Sequence, residues 1–215
     1  QLFDDANVKA TFFTLGWIAR RHPEMIRKIV DAGHEIASHG YAHQKVTDQT
    51  REEFKADVIR AKKMLEDTAG VEVRGYRAPS FSIGSGNLDA LDVLAETGHD
   101  YSSSIYPVSH DHYGMPNCPR FACDLRENGF LELPMTTVRL FGKNLPCSGG
   151  GFFRLLPYAY YRWAIQRVNT ADGQPAIFYL HPWELDPGQP RMKNIRFKSR
   201  MRHYLNLDKT ETRLE

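Results

Sequence analysis

The stretch KATFFTLGWIARRHPEMIRKIVDAGHEIASHGYAH, Lys9–His43, decides the architecture. KATFFTL (Lys9–Leu15) is an apolar, aromatic run of strand length. Pro23 then opens a segment in which Met25, Ile26, Ile29 and Val30 recur at helical spacing, and Gly33 closes it. A second strand follows at Glu35–Ala37 and ends at a histidine-bearing loop. Strand, amphipathic helix, strand within some thirty residues is the unit of an α/β domain with a mainly parallel sheet.

The pattern continues outward. Thr50 and Glu53 have capping-box spacing, and REEFKADVIRAKKMLED carries Phe54, Val58, Ala61 and Leu65 on one predicted helical face. Val71–Tyr76 reads as a strand, Leu88–Glu96 as a helix ended by Gly98, Phe130–Leu133 as a strand stopped by Pro134, and Tyr158–Val168 as a helix. Ala176–Leu180 is an apolar run expected to be a buried strand that delivers its end to His181. Pro107–Cys123 is a long loop of the kind that shapes a site.

The 215 residues can bury one sizeable core. Lys plus Arg number 28 against 26 Asp plus Glu, so no excess charge points to nucleic acid or a membrane surface. No apolar run reaches the length of a membrane span, and Gln1–Asn7 is no targeting signal. Cys118, Cys123 and Cys147 are odd in number and form no CxxC pair, against a disulfide framework or a cysteine zinc site. Beyond Trp183 the chain is basic (Arg191, Lys193, Arg196, Lys198, Arg200, Arg202), read as a solvated face or loose end, with attraction to an anionic polymer as the alternative.

Three groups of residues could carry chemistry, each expected just after a strand, where α/β sheets and barrels place their ligands. In SHGYAH, His39 and His43 are four apart, so on one helical turn both imidazoles would share a face and a divalent cation; a plain polar loop is the alternative. In RAPSF, Arg77 could hold a carboxylate by two parallel hydrogen bonds, or be an ordinary surface arginine. In FYLHPWE, His181 could act as a general acid or base or be a satisfied core histidine, and Trp183 could stack on a sugar or simply pack. A metal with an open position, an arginine-held carboxylate and a histidine acid together make a hydrolytic site for an amide or ester.

ATFFTLG, PEMIRKIVDAGHEIASHGYAH, RGYRAPSF and the late FYLHPWE, in this order and spacing, resemble the polysaccharide deacetylases of carbohydrate esterase family 4, the NodB homology domain. The resemblance covers Phe3 to about Glu184. SSSIYPVSHDHYGMP followed by PRF further resembles the branch associated with bacterial exopolysaccharide gene clusters. The resemblance implies a deformed (β/α) barrel at residues 1–190, followed by a basic extension at 191–215. It also implies a hydrolase that removes N-acetyl groups from hexosamine units of a polysaccharide or oligosaccharide. His39 and His43 match the family's metal-binding histidines, Arg77 the arginine that orients the catalytic base, and His181 the general acid. The Ser80 N–H falls where the family places an oxyanion donor. Leu180 and Trp183 would line the acetyl pocket, with Phe81 and Tyr106 among the substrate-binding residues. The implied cofactor is a divalent metal, zinc first, with cobalt, nickel or iron as alternatives.

The chain also departs from that pattern. The family's first motif is an aspartate-rich strand end that supplies the base and the third metal ligand. Asp4 and Asp5 lie too close to Ala10 for that role and look like the end of the following helix, so the barrel is expected to lack its first strand in this chain. Ser102 stands where the exopolysaccharide branch has an aspartate, which puts a role for that position in question. Two other readings stay open: an amidohydrolase acting on a small non-peptide amide, and a non-catalytic carbohydrate-binding remnant. The compartment, cytoplasm or cell envelope, is left open too.

Overall fold

A computed structural model describes residues 2–110, 113–194 and 196–215, with only the backbone of Lys198. The chain forms two compact units, residues 1–134 and 135–215. No helix among the described residues is long and apolar enough to cross a membrane.

The first unit is the predicted α/β fold. Its five strands, β1 (Thr11–Thr14), β2 (Glu35–Ser38), β3 (Gly75–Tyr76), β4 (Tyr101–Ser102) and β5 (Leu131–Glu132), are all parallel and lie side by side in chain order. That is the order in which strands follow one another in (β/α) barrels. α1 (Leu2–Asp5) precedes β1, and between the strands run α2 (Gly16–Arg21), α3 (Pro23–Asp31), α4 (Arg51–Ala69) and α5 (Ala90–Glu96). Pro23 is the first residue of α3, and Gly33, at φ +75°, turns the chain back into β2. The strand expected over Val71–Tyr76 is shorter than the apolar run: only Gly75 and Tyr76 enter the ladder. Gly75 is required there, since a Cβ would collide with the Tyr101 ring.

Helix α4 organises the core. Phe54, Val58, Ala61 and Leu65 are all buried, as their spacing predicts. Phe54 and Val58 join a cluster with Tyr76, Ile83, Leu91, Leu94 and Ile105. Leu65 joins a second cluster with Ala19, Ile26, Ile36 and Val73. The helix starts at a complete capping box, in which the Glu53 N–H donates to Thr50 Oγ1 at 3.2 Å and the Thr50 N–H to Glu53 Oε2 at 2.8 Å. Thr50→Ala removes one acceptor from four otherwise orphaned N–H groups and is expected to cost about 1 kcal/mol, read as a lowered urea midpoint at unchanged slope.

The second unit holds an antiparallel hairpin, β6 (Thr137–Leu140) and β7 (Lys143–Pro146), then α6 (Gly150–Leu155), α7 (Tyr158–Ala171), α8 (Phe197–Tyr204) and α9 (Thr210–Leu214). Residues 191–215 belong to this unit, and within them Leu207 and Thr210 are buried.

One expectation fails here. Ala176–Leu180 is neither a strand nor buried: the run has no regular secondary structure, is half-exposed and is without a ladder partner among the described residues. The Ile177 N–H donates to Thr136 Oγ1 at 2.6 Å, a side chain standing in for a sheet neighbour. Phe178 packs edge-on against Phe153 and Tyr161. Apolar composition alone cannot tell such a one-sided packing run from a central strand.

Candidate active site

In the first unit the C-terminal strand ends continue the sheet by one more row. The His39 N–H donates to the Thr14 carbonyl, Arg77 N–H to Ser38, Ser103 N–H to Tyr76 and Leu133 N–H to Ser102, at 2.7–3.0 Å. His39, Arg77 and Ser103 are therefore adjacent because parallel pairing makes them so. Side chains link the same row. His39 Nδ1 lies 2.7 Å from the Arg77 carbonyl oxygen, which can only accept, so the proton sits on Nδ1 and the lone pair on Nε2. The Arg77 guanidinium donates to the Ser103 carbonyl and to Ser103 Oγ at 2.8 and 2.7 Å and lies 4.1 Å from the Phe13 ring centre. Ser103 Oγ in turn donates to the Leu133 carbonyl. Ser103 was not among the expected site residues.

His39 and His43 do come together, with ring centres 5.0 Å apart, but not on a helical turn. Residues 39–45 are a loop in which Gly40 and His43 are both left-handed, at φ +76° and +61°. The spacing of four is bridged by a tight reversal, not by 3.6-residue periodicity. Neighbours hold that reversal: the Gly16 and Trp17 N–H groups at the start of α2 donate to the Gly40 and Tyr41 carbonyls, and Tyr41 N–H donates to Asp57 Oδ2 at 3.1 Å. Asp57 is a second residue the sequence did not single out. Burial raises its carboxyl above the usual range, against the Tyr41 N–H and the Arg60 charge.

The RAPSF segment is strained. Ser80 and Phe81 are consecutive left-handed residues, at φ +57° and +52°, a conformation costing roughly 1–3 kcal/mol at each non-glycine position. The Ser82 hydroxyl holds the turn, donating to the Pro79 carbonyl at 2.7 Å and accepting from Val46 N–H at 3.0 Å, so this loop is tied to the histidine loop. Ser80 is exposed and Phe81 half-buried. Tyr106 is fully buried, packed against Phe81 and parallel to Tyr113, and so backs this aromatic group from within. In the adjoining stretch Asp111 and His112 lie outside the described residues.

Below this row the buried Glu132 accepts from the Ser104 and Ile105 N–H groups through Oε1, both at 2.8 Å. Burial raises its carboxyl, with the Ser102 hydroxyl among the groups acting the other way. Ser102 Oγ also lies 2.6 Å from Ser104 Oγ. The departure at Ser102 is thus intelligible: an aspartate there would bring a second carboxylate to a buried one.

His181, Leu180 and Trp183 lie in the second unit, where His181 leads a 3-10 turn at Pro182–Leu185. The ring is half-exposed, while Glu184 beneath it is 1% exposed. Glu184 Oε2 accepts from the His181 N–H at 2.8 Å and from Nδ1 at 3.2 Å, and Oε1 accepts two bonds from the buried Arg154 guanidinium at 3.0–3.1 Å. Burial works to raise the Glu184 carboxyl, but the His181 bonds and the Arg154 charge outweigh it and hold it below the usual range. A histidine whose Nδ1–H is held by a carboxylate presents Nε2 outward for proton transfer. Neither Arg154 nor Glu184 was picked from the sequence, although the His181–Glu184 spacing inside HPWE was there to be read.

The two imidazoles fit a divalent cation as donors, since His39 is oriented through its second nitrogen as metal-binding histidines are. No group of three or more His, Cys, Asp or Glu among the described residues gathers to complete such a site.

Residues 1–102 match the polysaccharide deacetylase family, and residues 103–215 match a domain of unknown function, DUF3473. A peptidoglycan-N-acetylglucosamine deacetylase of Bacillus cereus is 34% identical over 73 residues, covering 34% of this chain and 26% of the relative. A peptidoglycan deacetylase of Helicobacter pylori is 32% identical over 105 residues, covering 49% and 35%. The chain thus spans about a quarter to a third of these curated relatives. A crystal structure from Mycobacterium smegmatis assigned to the polysaccharide deacetylases superposes with a TM-score of 0.60 at 27% identity, over 94% of this chain and 66% of that one. A CE4 family pseudoenzyme from Bacillus anthracis shares the fold, at a TM-score of 0.50 and 18% identity over 99% of this chain and 53% of its own. The chain belongs to the family of DUF3473, which matches its residues 103–215, and its residues 1–102 match the polysaccharide deacetylase family.

Proposed function

We propose that the protein is a metal-dependent N-deacetylase that hydrolyses the acetamide of N-acetylhexosamine units in a polysaccharide, in the biosynthesis of an exopolysaccharide. The observation that carries this reading is the His39–His43 pair at the end of a parallel sheet, with His39 Nδ1–H fixed on the Arg77 carbonyl, in a stretch that matches the deacetylase family. The resemblance of SSSIYPVSHDHYGMP and PRF to the exopolysaccharide-associated branch supports the finer assignment.

In this reading His39 and His43 contribute two ligands to a divalent cation, zinc before cobalt, nickel or iron. The chemistry such a cation supplies is polarisation of the acetamide carbonyl and acidification of water. Arg77, braced by Ser103, matches the arginine that orients the family's carboxylate base. The Ser80 N–H, on its strained turn, offers a hydrogen bond to the developing oxyanion. Leu180 and Trp183 wall the acetyl group, and Phe81 meets the sugar. His181, with Nδ1–H held by Glu184, gives its Nε2 proton to the departing amine nitrogen.

The test is zinc calorimetry together with acetate release from an N-acetylglucosamine oligomer. His39→Ala is expected to weaken zinc binding by more than the roughly 10–100-fold that an outer partner contributes. Unchanged affinity would remove His39 as a ligand. Zinc binding without acetate release would assign the glycan-binding reading, and hydrolysis confined to small amides would assign the amidohydrolase one.

A further inference from the structure

Arg154 is the largest fully buried side chain among the described residues, and all five of its N–H donors are used. Nε and one Nη2 proton go to Glu184 Oε1. The other three go to backbone carbonyls at the end of α8: Nη1 to His203 and Leu205 at 3.0 and 2.8 Å, and Nη2 to Arg202 at 3.2 Å. These are the carbonyls a helix leaves without intrahelical partners, at the negative end of its dipole. The tail grips back: Asn206 Nδ2 donates to the Arg154 carbonyl at 2.7 Å, and Arg213 Nη1 to the Phe153 carbonyl at 2.5 Å.

The same helix end touches the candidate site a second way. The His203 ring stacks on Trp183, 4.2 Å between centres and 10° from parallel, and its Nε2 is 2.8 Å from Gln189 Oε1. Burial and the Arg154 charge depress His203, so it stacks as a neutral ring near neutral pH. On the near side Gly150, at the start of α6, leaves room for the Glu184 carboxylate that any Cβ would take.

We propose that the C-terminal segment 197–206 is a positioning element of the HPWE site: through Arg154 and Glu184 it sets the tautomer of His181, and through His203 it sets the plane of Trp183. None of its residues need touch the reacting atoms. The inference rests on the reading of His181 as proton donor and Trp183 as acetyl-pocket wall. It gives this stretch of the DUF3473 half a function in catalysis and acyl recognition.

The test is 15N NMR of the His181 ring in the whole chain, joined to acetate-release kinetics. The wild type is expected to keep the Nδ1 proton throughout, with Nε2 the nitrogen that gains and gives up the second proton. Arg154→Lys keeps the charge but loses the fork to the carbonyls, and is expected to average the ring between tautomers while its circular dichroism stays that of the wild type. His203→Ala is expected to raise KM for the acetylated oligomer about tenfold with kcat unchanged, about 1.4 kcal/mol of uniform binding. An Nδ1–H tautomer that survives Arg154→Lys, or a KM indifferent to His203→Ala, overturns the proposal while leaving the deacetylase reading intact. A tautomer lost in Arg154→Lys in a protein that releases no acetate sustains the positioning link and defeats the reading instead.

Discussion

Arg154→Met will cost about 3–5 kcal/mol of folding stability, the loss expected when one member of a buried ion pair is removed and the other stays. Both partners are nearly inaccessible, 2% and 1% exposed at the side chain. Without the guanidinium, the Glu184 carboxylate keeps only the His181 donors, and the carbonyls of Arg202, His203 and Leu205 each lose a partner. These two losses are separable. The double variant Arg154→Met/Glu184→Met removes the stranded charge and should recover the part due to it, but not the part due to the three carbonyls, about 1 kcal/mol or more each. Urea unfolding followed by Trp fluorescence checks both. A single-variant loss under about 1 kcal/mol would show that α8 and the Pro182–Leu185 turn do not depend on this pair.

Acidification will destabilise the first unit through His99, by about 3 kcal/mol between pH 6.5 and 4. His99 is 4% exposed, with Thr97 Oγ1 at 3.2 Å from Nδ1, the Tyr76 ring edge-on, and Nε2 buried without a hydrogen-bond partner. Burial first, and then the charge of Lys62 on α4, push it down to about 4; Glu66 and Asp100 act weakly the other way. The folded pKa is thus lower than the unfolded one. Between the two values the unfolded chain holds a proton that the native state does not, so stability falls as pH drops through 6.5 and levels off below 4. Comparing unfolding free energies at pH 7 and 5 for wild type and His99→Gln isolates this contribution from the carboxylates, which both proteins share. An equal decline in both proteins would place the proton elsewhere.

What could be read from sequence was whatever rests on local periodicity or local chemistry. The Thr50–Glu53 cap, the Phe54–Leu65 stripe, Pro23 at a helix start and the apolar KATFFTL strand each announce themselves within a few residues, and all appear where expected. His39, His43 and Arg77 were legible for another reason: they follow strands, and parallel pairing brings strand ends together. The misreadings share a cause. The His39–His43 interval has helical spacing, but left-handed Gly40 and His43 realise it as a loop. Ala176–Leu180 has strand composition, but whether such a run pairs depends on a neighbour. Arg154, Ser103 and the half-buried Asp57 were invisible because such polar groups have no period, whereas Glu184 was marked only by its spacing from His181. Arg154 finds its carboxylate 30 residues away and its carbonyls about 50 residues away, and nothing local marks such a bond.

The two family matches meet between residues 102 and 103, yet the first compact unit closes only at residue 134. Everything the first match needs to complete its sheet is encoded after the seam: Ser103 beneath Arg77, Glu132 beneath Ser104, and β5 beside β4. The halves are therefore not interchangeable cassettes. In the ancestry of such proteins, a recombination at the family border would strip the deacetylase half of an edge strand, whereas one near Pro134 would exchange an intact body. Descent should accordingly keep residues 103–134 with the sequence before them, and substitutions across residue 102 should be found to change together.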